Sequence, residues 1–172
     1  MNIVLIGYRG TGKSTVAKIL GRQLRREVIS TDAEIVRRAN LPIPEIVTRF
    51  GWEHFRDLES AVCQDLAGKD DVVIDTGGGV ILRSRNVEAL KRNGRLFWLT
   101  ADVPTIIGRI GEDTQRPSLT GTKSFTDEVH EVLAERTPRY QGAADHTVST
   151  DGRSAEQVAE TVLAYVQNRP NG

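Results

Sequence analysis

The sequence predicts an α/β fold built on a five-stranded parallel sheet flanked by helices. Short apolar runs alternate along the chain with longer segments in which apolar residues recur every three or four positions. The short runs are nearly continuous apolar blocks, which is typical of parallel strands covered on both faces. Alternating strands and helices favour parallel pairing through right-handed crossovers. The predicted strands are residues 3–6, 27–30, 72–75, 96–99 and 146–149.

Helical periodicity fills the segments between these strands. The pattern that places one apolar face against a sheet is carried by Val16, Leu20 and Leu24 and again by Phe55, Leu58, Val62 and Leu66. The last helix is predicted to begin at Ser154, which with Gln157 has the spacing of a capping box. Thr31 and Glu34 have the same spacing and predict a helix start after the second strand.

Two stretches are too long to be simple connections. Residues 31–70 hold two to three predicted helices, which is more than one crossover requires. Residues 111–123 are rich in Gly, Thr, Ser and charged residues and show no periodicity, and long loops inside a compact domain are usually functional or disordered. We therefore expect a single domain of residues 1–172 with three parts. These are a core of residues 1–30, 68–110 and 124–172, a substrate-binding insert at 31–67, and a mobile lid at 111–123.

The composition restricts the possible partners and compartment. The 172 residues fit one domain, and 23 Lys and Arg residues balance 23 Asp and Glu residues. Such a chain has no overall attraction for nucleic acid or an anionic membrane, and no apolar run approaches the ~20 residues of a membrane helix. A lone cysteine, Cys63, makes no intramolecular disulfide, and the apolar run after Met1 is too short for a secretory leader. We expect a cytoplasmic protein that is a monomer.

The turn after the first strand carries a phosphate-binding pattern. Residues 7–14 match the P-loop motif G-x-x-x-x-G-K-[ST] at every fixed position, between a predicted strand and a predicted helix. The glycines let backbone N–H groups point at phosphate oxygens. Lys13 is expected to bridge the β- and γ-phosphates, and Ser14 to offer its hydroxyl to Mg²⁺. The correct flanking elements argue against an ordinary glycine-rich turn, so we expect a nucleoside triphosphate to bind here.

Further short motifs follow the P-loop in a fixed order. They are Asp32, Phe55-Arg56-Asp57-Leu58-Glu59, Thr76-Gly77-Gly78-Gly79, Arg116-Pro117-Ser118-Leu119 and Arg136-Thr137-Pro138-Arg139-Tyr140. In this order and spacing the chain resembles the shikimate kinase family, P-loop kinases of the nucleoside-monophosphate-kinase-like fold. The resemblance implies phosphorylation of the 3-hydroxyl of shikimate by ATP with Mg²⁺, giving shikimate 3-phosphate and ADP, a step of aromatic amino-acid biosynthesis.

The resemblance also implies the roles of individual residues. The catalytic residues are expected to be Lys13, Asp32 and Arg116, with Asp32 orienting the attacking hydroxyl toward the γ-phosphate. The expected substrate-binding residues are Asp32, Arg56, Gly77, Gly78, Gly79 and Arg136. The expected ATP-binding residues are Gly10, Thr11, Gly12, Lys13, Ser14, Thr15, Arg109, Arg116 and Arg153, of which Arg109 and Arg153 match positions that flank the adenine ring in the family.

The chemistry of a hydroxy acid independently favours the two arginines. A carboxylate needs cationic groups, and guanidinium groups offer planar, bidentate donors. Arg136 shares a helical stripe with Val129 and Leu133, so its side chain is expected to face inward. Arg56 is expected to be held in place by Glu59, one helical turn later. Solvated surface arginines remain the alternative for both, and for Asp32 the alternative is a residue that only complements the helix dipole.

The chain departs from the family pattern at the metal site. The family usually has an aspartate two residues before the substrate aspartate, where it helps to hold Mg²⁺ through water, whereas this chain has Ser30. Asp75 ends the third predicted strand, where the family more often has a small or neutral residue. We therefore consider Ser14 and Asp75 as metal-site residues, and an outward-facing Asp75 is an equally weighted alternative. In a second departure, Trp52 follows Gly51 where the family often has Glu.

Two other functions remain open from the sequence. One is a related kinase that acts on another sugar acid such as gluconate, against which the pairing of Arg56 with Arg136 argues. The other is a non-catalytic nucleotide sensor, which Ser30 supports to some extent because the usual aspartate is missing there. The guanine-selecting N-K-x-D motif of GTPases is absent from the sequence.

Overall fold

Five parallel strands form the centre of the computed structural model, which describes residues 1–111 and 124–168. The strands are β1 (Asn2–Ile6), β2 (Val28–Ser30), β3 (Val73–Asp75), β4 (Gly94–Thr100) and β5 (His146–Ser149). Their order in the sheet is β2-β3-β1-β4-β5, and every neighbouring pair is parallel. The predicted fold class is therefore confirmed.

Helices cover both faces of this sheet. They are α1 (Lys13–Leu24), α2 (Thr31–Ala39), α3 (Ile43–Leu66), α4 (Ser84–Lys91), α5 (Val103–Ile110), α6 (Phe125–Ala143) and α7 (Ala155–Gln167), with a 3₁₀ turn at Val80–Leu82. The capping box predicted at the start of α7 is confirmed, because the Ser154 and Gln157 side chains each accept the other residue's backbone N–H. No helix in these two described ranges is long and apolar enough to cross a membrane.

The central strand explains why the apolar runs are continuous. Residues 3–6 of β1 are all fully buried. Ile3 and Leu5 pack toward α1 and α7, whereas Val4 and Ile6 pack on the opposite face with apolar residues of α2 to α6. Edge strands need less cover, and Val28 at the start of β2 is accordingly 36% exposed.

The stretch between β2 and β3 contains the extra helices that its length predicts. Helix α3 is interrupted at Gly51, where φ is 86° and ψ is 168°. Such a positive φ favours glycine, and the interruption divides α3 into two segments. Helix α2 and the two segments of α3 thus account for the two to three predicted helices.

The strand order determines which loops meet. Strand β1 lies between β3 and β4, so the P-loop after β1 is adjacent to the loop of residues 76–79 that follows β3. In parallel α/β sheets, ligands bind at the carboxyl ends of the strands. The phosphate-binding pattern and the three consecutive glycines therefore lie together at that edge.

Gly21 allows α1 to approach β2 closely, and an alanine there should destabilise the protein. A Cβ at Gly21 would lie 2.3 Å from Val28 Cγ2 and 3.1 Å from the Arg26 carbonyl oxygen. Overpacking of this kind costs about 1–3 kcal/mol, which exceeds the gain in helix propensity of about 0.5–1 kcal/mol. We expect Gly21→Ala to lower the free energy of unfolding in urea by about 1–2 kcal/mol.

Gly142→Ala in α6 is the matched control for this prediction. A Cβ at Gly142 has no atom within 4 Å, so this variant should be neutral or more stable by up to about 1 kcal/mol. Equal effects of the two substitutions would contradict the close approach of α1 and β2.

Candidate active site

The P-loop turns sharply from β1 into α1. Gly12, with φ of 90°, precedes the first residue of α1, and a side chain there would be strained. Lys13 is buried, and its Nζ donates hydrogen bonds to the carbonyl oxygens of Gly7 and Tyr8 at 2.8 and 3.0 Å. The Thr11 hydroxyl also donates to the Tyr8 carbonyl, at 2.8 Å. The loop thus presents the amino end of α1, with a lysine beside it, to the carboxyl edge of the sheet.

A cavity of about 370 Å³ opens in front of this loop. It is lined by Gly12, Lys13, Ser14, Asp32 and Asp75, among others. The cavity therefore brings together the P-loop lysine, the predicted acceptor-side aspartate and the two residues considered for metal binding.

A second cavity, of about 250 Å³, lies beside the P-loop and the start of α7. Arg109 and Arg153, predicted to flank adenine, both line it together with Thr15. Arg109 donates to the Gly10 carbonyl at 3.1 Å, and Arg153 donates to the Ser149 carbonyl at 3.1 Å. Both guanidinium groups that line this cavity are thus tethered to backbone carbonyl groups.

Residues 77 and 79 lie so close to the acceptor-side charges that a side chain at either position would collide with them. A Cβ at Gly77 would lie 2.8 Å from Asp32 Oδ1 and 3.1 Å from Glu59 Oε2. A Cβ at Gly79 would lie 2.3 Å from Arg56 Nη1. The close approach of backbone to charged side chains therefore requires these glycines.

Arg56 is part of a buried ion pair. Its Nη1 lies 2.9 Å from Glu59 Oε1, and its side chain is 12% exposed while that of Glu59 is fully buried. This confirms the predicted contact one helical turn apart. The guanidinium carbon also lies 5.3 Å from the Trp52 ring centre and 5.2 Å from the Phe55 ring centre, distances at which cations interact favourably with aromatic faces. Trp52, the residue that departs from the family pattern, thus forms part of the wall around Arg56.

Arg136 approaches the same glycines from α6. It is 7% exposed, as its helical stripe predicted, and a Cβ at Gly78 would lie 3.5 Å from its Nη1. The two arginines therefore do not point away into solvent but converge on residues 78 and 79. The alternative of two solvated surface arginines is excluded by this burial.

Tyr140 and Thr31 hold the glycine segment in place, and the motif analysis missed both roles. The buried Tyr140 hydroxyl, one turn after Arg136, donates to the Gly78 carbonyl. Burial raises the pKa of Tyr140 to about 12, although the nearby Arg136 guanidinium opposes the shift, so the hydroxyl remains a donor at neutral pH. Thr31 Oγ1 accepts the Gly77 N–H at 3.0 Å.

The predicted capping box at the start of α2 is wrong. Helix α2 does begin at Thr31, but its N-cap is Ser30, whose hydroxyl accepts the Ala33 N–H at 3.2 Å. The Thr31 hydroxyl instead accepts the Gly77 N–H. Glu34 pairs with Arg37 and Arg38 on the helix surface. Those two guanidinium groups lower the pKa of Glu34 to about 2. Thr31 thus makes a tertiary hydrogen bond to Gly77 in place of the predicted capping interaction within α2.

The family model for shikimate kinase matches residues 9–167 of this chain. The chain belongs to the shikimate kinase family. A shikimate kinase of Thermodesulfovibrio yellowstonii is 36% identical over 171 residues, which cover 99% of this chain and 98% of the relative. A shikimate kinase of Nitratidesulfovibrio vulgaris is 42% identical over 152 residues, 87% of this chain and 86% of the relative.

The solved structures agree with this family. The shikimate kinase of Acinetobacter baumannii, solved in complex with shikimate, has a TM-score of 0.93 and 32% identity and covers 99% of this chain and 95% of its own. A gluconokinase of Sinorhizobium meliloti has a TM-score of 0.55 at 15% identity, a likeness that shows the fold alone.

Asp75, considered as a metal-site residue, faces the P-loop. It is buried at the end of β3, 8% exposed, and accepts a hydrogen bond of 2.6 Å from the Ser14 hydroxyl. The alternative of an outward-facing aspartate is therefore excluded. Ser30, where the resemblance implied a metal-supporting aspartate, is the register partner of Asp75.

The predicted lid and its arginine belong to a part of the chain that is not described. The lid was expected at residues 111–123, of which the structure describes only residue 111, and Arg116 lies outside the described residues.

The contact between Gly79 and Arg56 predicts that substitutions at these two positions have coupled effects on stability. The backbone of Gly79, with φ of −95° and ψ of 8°, accepts alanine without strain, so the cost of Gly79→Ala comes from its collision with Arg56. We expect Gly79→Ala to destabilise the protein by about 1–3 kcal/mol, and by less than half as much when position 56 is already alanine. Urea unfolding of both single variants and the double variant measures this coupling.

Gly142→Ala provides the control cycle. Its effect on the free energy of unfolding should be the same whether position 56 is arginine or alanine. Additive effects of Gly79→Ala and Arg56→Ala would contradict the placement of the guanidinium against residue 79.

Proposed function

We propose that this chain transfers the γ-phosphoryl group of ATP to the 3-hydroxyl of shikimate, giving shikimate 3-phosphate and ADP. The observation that carries the proposal is the convergence of two buried guanidinium groups, of Arg56 and Arg136, on the glycine segment beside the P-loop cavity. Membership of the shikimate kinase family supports the same substrate.

One end of the acceptor site has the groups that bind a carboxylate. Arg56 and Arg136 bring two buried guanidinium groups to this end, where Glu59 pairs with Arg56. Buried charges are costly unless they are paired, so a carboxylate is a complementary ligand for the two arginines. We assign the shikimate carboxylate to this place, with the backbone of residues 77–79 along the substrate. The insert of residues 31–67 thereby supplies Asp32 and Arg56.

Asp32 is placed to orient the attacking hydroxyl. It lies at the start of α2, touches the glycine segment and lines the cavity that also contains Lys13. A carboxylate there accepts a hydrogen bond from the 3-hydroxyl and directs its oxygen toward the γ-phosphate. Because the transition state of phosphoryl transfer is loose, alignment and charge stabilisation supply most of the catalysis. Lys13 supplies the positive charge on the donor side.

The nucleotide is assigned to the P-loop and the cavity beside it. Backbone N–H groups of residues 10–15 face the phosphates at the amino end of α1, where the helix dipole favours anions. Arg109 and Arg153 are assigned to the two sides of the adenine ring, because both line the second cavity.

Mg²⁺ fits the residues beside the P-loop. Within the described ranges, no group of three or more His, Cys, Asp or Glu side chains is arranged to hold a metal. Mg²⁺ at a nucleotide needs only one or two protein groups, because phosphates and water supply the other ligands. Ser14 and Asp75 offer oxygen atoms of this kind at one place. When bound, the ion neutralises charge on the β- and γ-phosphates.

We also propose a monomer in the cytoplasm. The described acceptor groups all come from one chain, so a second copy is not needed to complete them. The cysteine of the chain, Cys63, is buried, and burial raises the pKa of its thiol above the usual range, which suits a reducing compartment. Sedimentation of the purified protein tests the monomer.

Shikimate-dependent release of ADP tests the proposed activity directly. With ATP and Mg²⁺, we expect ADP to form when shikimate is added and not when gluconate replaces it, because the chain belongs to the shikimate kinase family. A pyruvate kinase–lactate dehydrogenase coupled assay measures the rate. A nucleotide sensor would release no ADP with any hydroxy acid, and activity with gluconate alone would indicate the related sugar-acid kinase.

The arginine pair gives a sharper prediction. Arg56→Lys and Arg136→Lys keep the charge but lose the bidentate donor geometry. Each should raise the KM for shikimate about 10- to 100-fold, as expected for the loss of one charge-assisted hydrogen bond of about 1.5–3 kcal/mol. The affinity for ADP, measured by calorimetry, should not change.

Arg49→Lys is the matched control, since Arg49 lies two turns earlier in α3 and pairs with Glu45 on the surface. Its KM for shikimate should equal that of the wild type. Unchanged KM values in both Arg56→Lys and Arg136→Lys would overturn the assignment of the carboxylate.

A further inference from the structure

A carboxylate at the end of the third strand lies beside the P-loop serine. Asp75 ends β3, opposite Leu5 of β1 in one direction and opposite Ser30 of β2 in the other. Its Oδ2 accepts the Ser14 hydroxyl at 2.6 Å, and the residue is 8% exposed. Ser14, Ser30 and Asp75 all line the same P-loop cavity.

We propose that Asp75 has taken over the support of Mg²⁺ from the second strand, and that it acts as a positioning residue for the Ser14 hydroxyl. The proposal rests on the nucleotide half of the proposed function. It does not depend on which hydroxy acid is phosphorylated.

The hydrogen bond from Ser14 to Asp75 determines the orientation of the Ser14 hydroxyl group. A hydroxyl that donates its proton to a carboxylate keeps its lone pairs for another partner. In the P-loop, that partner is the cation beside the β- and γ-phosphates. Asp75 also places a negative charge next to the cation, which strengthens cation binding in a partly buried site.

Ser30 cannot supply this charge. Its hydroxyl is neutral and already accepts the Ala33 N–H as the N-cap of α2. Because Ser30 and Asp75 are register partners on adjacent strands, a carboxylate moved from one to the other shifts by one strand spacing, about 4.8 Å. The shift is toward β1 and the P-loop, since β3 lies between β2 and β1. The carboxylate therefore stays within the same cavity.

The test compares the affinity for ADP with Mg²⁺ and with EDTA, measured by isothermal titration calorimetry. The wild type should bind ADP more tightly with Mg²⁺. Asp75→Asn keeps the shape of the side chain and removes its charge, so the enhancement by Mg²⁺ should fall about 10-fold or more. Its affinity for ADP in EDTA should remain within about twofold of the wild type, because the phosphate-binding backbone is intact.

Ser30→Asp in the Asp75→Asn background is the rescue variant. Aspartate is a good N-cap, so α2 should be preserved, and the carboxylate is returned to the family's usual position. The enhancement by Mg²⁺ should recover to within about threefold of the wild type, since one carboxylate replaces another. Asp145→Asn, at the opposite edge of the sheet before β5, is the charge-matched control and should leave both affinities unchanged.

Three results would overturn the proposal: an undiminished enhancement by Mg²⁺ in Asp75→Asn, an equal loss of affinity with Mg²⁺ and with EDTA, or no recovery in a folded rescue variant. An equal loss would indicate that Asp75 only ties β3 to α1. These measurements contain no shikimate, so a wild type that binds Mg²⁺ and ADP but forms no ADP from ATP and shikimate would refute the proposed activity and leave the role of Asp75 standing.

Discussion

Two guanidinium groups, of Arg56 and Arg136, are buried against the backbone of three consecutive glycines, and much of the site is arranged around the need to stabilise them. A buried positive charge requires partners of opposite charge. Glu59 supplies one from within α3, aromatic rings of residues 52 and 55 add weaker attraction, and a substrate carboxylate is assigned as a further partner of the two arginines. Gly77 and Gly79 are part of the same constraint, because side chains at these two positions would collide with the charged groups.

The parallel sheet makes this arrangement possible by bringing distant segments to one edge. β1 ends in the P-loop, β3 ends in the glycine segment, and α2 begins directly after β2. Rigid strands therefore hold donor and acceptor groups in fixed relative positions, while α3 and α6 each supply one arginine from the side. For phosphoryl transfer, in which alignment and charge stabilisation supply most of the rate, such a scaffold contributes directly to catalysis.

Under the role proposed for Asp75, two neighbouring strands have exchanged a functional group. Residues 30 and 75 are register partners, so both side chains can reach the same cavity. The requirement is a negative charge beside the P-loop serine, and this requirement does not specify the strand that supplies it. The N-cap of α2 is also compatible with either serine or aspartate at position 30, which leaves the sequence there free to change.

Local chemistry in the sequence determined the features that depend on near neighbours. Apolar runs and helical periodicity predicted all five strands and the extra helices, the spacing of residues 7–14 predicted the phosphate loop, and the one-turn separation of Arg56 and Glu59 predicted their ion pair. Only the tertiary structure decided that Thr31 binds Gly77 rather than capping α2, that Tyr140 holds Gly78, and that Asp75 faces Ser14. These contacts join residues 46 to 62 positions apart, and their energy depends on strand order and register, which no local pattern specifies.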